Sequence, residues 1–299
     1  MSRHGSARSR PSRLRAAGCL LGTALFLSAS IASAAAAEPL PPLPAGTGFE
    51  RLAVPGYLSS VVAWPAVPAA SKLPIAVATH GSYDQPEWNC QTYQQVAHGA
   101  AVIVCPRGKL RWDTPSEPEQ RRYYFPAAGN GASASAWLQR EVDAAVRALE
   151  TNFPTRVTPG PVLYIGFSQG AILGASLLIQ APRRFPRAIL VEGGHGAWSA
   201  ESARTFARGG GQRVLFACGR QSCDSSARRA AAELLRAGVA VKVVYAPDQG
   251  HTYDAKVQEQ VAAQFDWVLA GDERPTAPDV KKGGEPSAAT PPAVAPPRK

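Results

Sequence analysis

A serine between two glycines is the residue of this sequence best placed for covalent chemistry. In Gly166-Phe167-Ser168-Gln169-Gly170 it follows the apolar run 162–165 and opens an Ala/Leu-rich stretch. A strand-to-helix turn there pushes the hydroxyl out at the carboxyl edge of a sheet, and the glycines let neighbouring backbone approach. The first turn of a helix has unpaired N–H groups and a dipole that favour developing negative charge, which points to acyl transfer. The same pattern can also simply join a strand to a helix. A serine hydroxyl is a weak nucleophile near neutral pH, so a histidine must take its proton and a carboxylate must orient that histidine. His251, in Gln249-Gly250-His251-Thr252-Tyr253, follows the last expected strand and is the expected base. Asp224 is the expected acid, because it follows the strand expected at 214–217 through a short loop bounded by Cys218 and Cys223. Asp248 is its rival, three residues before His251, where a turn role suits it. An oxyanion needs two N–H donors. Gln169 supplies one, and Ser82, in Thr79-His80-Gly81-Ser82-Tyr83-Asp84 after the apolar run 75–78, supplies the other.

The elements that must position these residues read as strands at 59–64, 75–79, 101–105, 162–165, 188–191, 214–217 and 241–245. Helices are expected at 134–152, 169–180, 225–237 and 255–269. Short apolar runs alternating with helical patterns are the signature of a parallel sheet covered on both faces. In the first helix Trp137, Val142, Ala145, Val146 and Leu149 recur at helical spacing and read as core. Segment 106–132 is long, interrupted by Pro115 and Pro118, and carries Trp112, Tyr123, Tyr124 and Phe125. It reads as a pocket wall or lid, or as aromatics packed on the domain. Tyr83, Trp88 and Trp198 are further candidates for an aromatic rim.

Of the 299 residues 45% are hydrophobic and 18% charged, a globular composition long enough for one large α/β domain. Arginines without acids precede an apolar run at 14–31 and small residues up to Ala37, the layout of a secretory leader over residues 1–37. Removing its five arginines lowers the formal charge from +10 to about +5. The remainder has no dense basic stripe, so nucleic-acid binding is not expected. No stable membrane insertion is expected after cleavage, and the protein should be secreted or periplasmic. Residues 38–48 form a Pro-rich lead-in, 49–270 the catalytic domain, and 271–299 a Pro-rich disordered tail. Four cysteines survive cleavage, an even number that points to disulfides in an exported chain. Of three possible pairings the sequence-local one, Cys90 with Cys105 and Cys218 with Cys223, is expected because each pair brackets one short segment. The spacing does not suit zinc, and neither metal nor cofactor is expected.

Taken together, His80-Gly81-Ser82-Tyr83-Asp84, the elbow at 166–170, an acid after later strands and Gly250-His251 resemble the α/β-hydrolase superfamily. The resemblance is greatest to the phospholipase/carboxylesterase family, related to acyl-protein thioesterases and dienelactone hydrolases. Tyr83 and Ala171 depart from the family's His-Gly-x-Gly-Asp and Gly-Phe-Ser-Gln-Gly-Gly patterns, while Trp112-Asp113 is similar to another of its signatures. The resemblance spans 73–269 and implies an α/β-hydrolase fold, with a mostly parallel central sheet and helices on both faces. It implies a serine esterase acting on a small-molecule or polymeric ester; extracellular relatives that cleave polyesters or feruloyl esters have similar layouts. A serine peptidase of the same fold, or a binding protein on a hydrolase scaffold, are the alternatives.

Overall fold

The computed structural model describes residues 39–46, 48–66, 72–127 and 131–270. The expected leader and the tail lie outside the described residues, as does part of the lead-in. Eight strands form one sheet: β1 (Phe49–Leu52), β2 (Ser60–Ala63), β3 (Ile75–Thr79), β4 (Val102–Cys105), β7 (Leu163–Phe167), β8 (Arg187–Val191), β9 (Arg213–Cys218) and β10 (Ala240–Tyr245). Their order is β1-β2-β4-β3-β7-β8-β9-β10. β2 runs antiparallel to both β1 and β4, and every pairing from β4 to β10 is parallel. A separate two-stranded ribbon pairs β5 (Lys109–Leu110) with β6 (Tyr123–Tyr124).

Alternation along the strands sends side chains to two apolar cores, one on each face. Val62, Val77, Val104, Tyr164, Leu190 and Phe216 face the first core. It is covered by α2 (Ala136–Asn152), α3 (Gln169–Gln180), α4 (Ala200–Arg208) and α5 (Gln221–Arg236). Val61, Ala76, Ile103, Ile165, Ile189 and Leu215 face the second, covered by α1 (Pro86–Ala97), α6 (Ala255–Ala262) and α7 (Phe265–Leu269). Burial on both faces explains why the central strands read as unbroken apolar runs rather than as alternating ones.

All seven expected strands are present, two of the four expected helices differ at their edges, and one is broken. The helix expected at 255–269 is interrupted after Ala262, so that Val257 and Val261 pack from one segment and Phe265 and Val268 from the next. The helix expected to begin at 225 begins at Gln221 instead. Two helices carried too little periodic apolar signal to be read. α1 is polar along much of its length, and α4 buries only Ala203 and Phe206 and starts on a Ser199/Ser202 capping box.

Both expected disulfides are formed. Cys90–Cys105 ties α1 to the end of β4, and Cys218–Cys223 ties the end of β9 to the first turn of α5. The first closes a loop of 15 residues and should restrict the unfolded chain by about 3 kcal/mol. Replacing both Cys90 and Cys105 by alanine should therefore lower the urea unfolding free energy by about 2–4 kcal/mol. A change under about 0.5 kcal/mol would show that the bridge does not constrain the unfolded chain.

Candidate active site

The parallel register sets the site. Gly166 lies level with Thr79, Phe167 with Val191, Val191 with Ala217 and Cys218 with Tyr245. The residues that follow these strand ends therefore emerge along one edge, with strands about 4.8 Å apart. At that edge Ser168 adopts φ 50°, ψ −112° between β7 and α3, a left-handed strand-to-helix turn that costs a residue with a side chain about 1–3 kcal/mol. The tight geometry leaves no room for a side chain on either flank. A Cβ on Gly166 would lie 2.7 Å from the Ala171 nitrogen, and one on Gly170 2.4 Å from the Thr79 carbonyl oxygen.

The turn brings together two side chains 83 positions apart: Ser168 Oγ lies 2.8 Å from His251 Nε2. Phe167 packs under the imidazole, with ring centroids 5.0 Å apart, and on Tyr253 at 4.6 Å. Tyr253 in turn donates its hydroxyl to Asp84 Oδ1 at 3.3 Å. The loop between β3 and α1 is thus braced against the loop that carries His251.

The carboxylate on the other side of the imidazole is not the one expected from sequence. Glu192 Oε2 lies 3.0 Å from His251 Nδ1, and the Glu192 side chain is fully buried. Asp224 is not brought to His251. Because α5 starts three residues before it, Asp224 sits in the first helical turn, where the helix dipole favours an acid, and accepts from Arg228 Nε at 2.9 Å, one turn along. Asp248 is exposed in a turn at φ 61°. The sequence did hold a signal for Glu192. It is the first residue after β8, the strand beside the elbow strand, and chain order still runs serine, acid, histidine.

Burial of the Glu192 carboxylate opposes its ionisation, yet the hydrogen bonds it accepts hold its pKa below the ordinary glutamate value. Besides His251 these come from the Gly219 N–H at 2.6 Å, the Arg220 N–H at 3.0 Å and Arg220 Nε at 2.6 Å. The segment clipped by Cys218–Cys223, expected to present the acid, instead presents donors to it. Among the described residues Glu192, Cys218 and Cys223 are close enough to share a metal ion. The two sulfurs are bonded to each other and the carboxylate is committed to these donors, so the trio offers no ligand set.

The expected oxyanion loop lies against the elbow: a Cβ on Gly81 would be 3.3 Å from Ser168 Cβ. Asp84 braces that loop by accepting from the Gln85 N–H at 2.8 Å and the Gly81 N–H at 3.4 Å, and burial raises its pKa above the ordinary value. His80 Nε2 lies 2.9 Å from the Arg107 carbonyl oxygen. Gln169 occupies the first position of α3, where a backbone N–H has no partner within the helix. Its side-chain amide pairs with both backbone groups of Phe125, accepting from N–H at 2.9 Å and donating to the carbonyl at 3.1 Å. Segment 106–127 is therefore fastened to the elbow.

Of the aromatics singled out in sequence, Tyr123 and Phe125 are core, and Trp198 is buried against Phe206 rather than lining a rim. Trp112 is 92% exposed, Tyr83 50% and Trp88 42%. Arg111 lies over the Tyr83 ring and donates to Ser82 Oγ at 3.1 Å, while Arg122 lies over Trp88.

No family model matches the sequence, and none of the curated proteins compared with it does. Solved structures do match in shape. TT1662 from Thermus thermophilus aligns with a TM-score of 0.54 at 15% identity, over 75% of this chain and 98% of that one. Esterase PE8 gives 0.53 at 15%, over 74% of this chain and all of its own (100%). The carboxylesterase of Bacillus cereus gives 0.51 at 17%, over 72% and 96%. The chain has the α/β-hydrolase fold. At such identities the likeness concerns architecture, and the chemistry must be argued from this chain's own residues.

The close approach at the elbow can be measured directly. Gly170→Ala should destabilise the fold by about 1–3 kcal/mol by overpacking. Gly196→Ala, where an added Cβ meets nothing within 4 Å, should stay within about 0.5 kcal/mol of the parent. Equal melting curves for the two variants would contradict the packing described.

Proposed function

We propose that the protein is an exported serine esterase that cleaves a small-molecule or polymeric carboxylic ester. The reading rests on one geometric fact, the line from Ser168 Oγ through His251 to the buried Glu192 carboxylate. His251 Nε2 takes the proton as Ser168 Oγ attacks the ester carbonyl, and the N–H groups of Ser82 and Gln169 stabilise the resulting oxyanion. Collapse of the tetrahedral intermediate releases the alcohol, protonated by His251, and leaves an acyl group on Ser168. Water then enters, His251 removes its proton, and a second collapse frees the acid and restores the serine. Glu192 accepts from Nδ1–H throughout, fixing the tautomer that leaves Nε2 free to act as a base.

The expected leader at 1–37 and the two disulfides support export. Among the described residues no helix is long and apolar enough to cross a membrane. The half-exposed Tyr83, next in sequence to Ser82, supports an acyl or alcohol group with an apolar face.

Ser168→Ala should abolish p-nitrophenyl butyrate turnover and fluorophosphonate labelling without altering the melting temperature. Turnover that survives this change would remove Ser168 from the chemistry. Glu192→Gln should lower kcat by about 10³- to 10⁴-fold, as expected when the partner of Nδ1 can no longer stabilise the imidazolium. Asp224→Asn should leave kcat within about three-fold of the parent, since its partner is Arg228. The reverse ranking of the two variants would return the acid role to Asp224.

A further inference from the structure

We propose that Arg220 is a positioning residue that holds Glu192 ionised and turned toward His251. The proposal rests on the esterase reading and extends it from the three reacting side chains to the loop that supports them. The Arg220 guanidinium donates through Nε to Oε2 of Glu192, the same oxygen that faces His251 Nδ1. Its backbone N–H, with that of Gly219, donates to Oε1. With both donors on Oε1 and a cation beside Oε2, the carboxylate plane is fixed and rotation about its last bond is blocked. Only one orientation then remains, the one that presents Oε2 to the imidazole.

The supporting loop is itself constrained. Gly219 and Arg220 lie inside the ring closed by Cys218–Cys223. A Cβ on Gly219 would come within 2.4 Å of the Gly250 carbonyl oxygen, so this segment packs directly on the loop that carries His251. Acid and base are therefore referenced to one short piece of backbone. Arg220 also completes the charge balance of the buried acid. Among the described residues, the charged or titratable groups around Glu192 are His251 and Arg220, with His195 beyond them, close enough to interact with Glu192, Arg229 and Arg220. Among the described residues Arg220 makes the guanidinium contact to the carboxylate, at 2.6 Å. Its side chain is 46% exposed, so it can be exchanged without opening the core.

The test compares Arg220→Met, which keeps an apolar stem and the backbone N–H, with Arg220→Lys, which keeps the charge. On p-nitrophenyl butyrate Arg220→Met should lower kcat by about 10- to 100-fold with KM within two-fold. Without the cation the Glu192–His251 pair takes up a proton more readily, so the acid limb of kcat/KM against pH should move upward by about half a unit or more. Arg220→Lys should return the acid limb to the parental position and recover part of kcat. Arg228→Met, on the helix that follows Arg220 but paired with Asp224, should match the parent in both measures. Circular dichroism melts identify a variant that fails to fold, and the lysine variant then carries the test.

A kcat and acid limb unchanged in Arg220→Met, with Ser168→Ala inactive, overturns the proposal and leaves the esterase reading intact. A loss of kcat without movement of the acid limb also overturns it, because that is the effect of a merely structural contact. If the parent shows no ester turnover the esterase reading fails. The interaction is then measured by ¹⁵N-histidine NMR titration of the full chain, and an unchanged His251 midpoint in Arg220→Met overturns the proposal by itself.

Discussion

A carboxylate taken fully out of water must be repaid in hydrogen bonds, and that requirement organises the edge of this sheet. Glu192 is buried with its negative charge, and an unpaired charge in such a place would cost several kcal/mol (about 3–5 on loss of one partner). Its donors come from two separate parts of the chain: the loop after β9 supplies Gly219 and Arg220, and the loop after β10 supplies His251. Satisfying the acid thus draws both loops together, and with them the imidazole to the hydroxyl of Ser168 at the neighbouring strand end. The demands of stability and of the proposed chemistry coincide at this one group.

A similar economy governs the other side of the elbow. Gln169 offers its backbone N–H at the start of α3, while its side chain binds both polar groups of Phe125. Segment 106–127 is held a second time by Arg107, which is fully buried, paired with Glu87 and bonded through its carbonyl to His80. Two hydrogen-bonded anchors hold this irregular segment against the candidate site. The same segment leaves Trp112 in solvent.

Much of this was legible in the sequence because local chemistry and global fold agree there. The elbow needs glycine at 166 and 170 for reasons visible in any tight turn, the parallel strands are apolar runs, and the cysteines bracket short segments. His251 could be placed because it follows the last strand. The acid could not, since several carboxylates follow strands in the second half and only the register of β8 beside β7 separates Glu192 from Asp224. A single bias decided the error: the disulfide loop after β9 looked built to present an acid, and a loop that presents donors has the same outline. The start of α5 was hidden for a related reason, because its first turn holds Cys223, whose bridge suggested a loop. α1 escaped because its buried face includes Asn89 and Thr92, which carry no apolar signature.

The second core joins elements from distant parts of the sequence, α1 near its start and α6 with α7 near the end of the described chain. Arg213, at the start of β9, fastens that closing piece by donating to the carbonyls of Trp267 and Ala270. On this side α1 covers β2, β3 and β4, while the faces of β8 and β9, including Ile189 and Leu215, are covered only once α6 and α7 dock. A chain that lacks residues 255–269 therefore leaves the apolar strand faces at this end of the sheet exposed to solvent and to other chains.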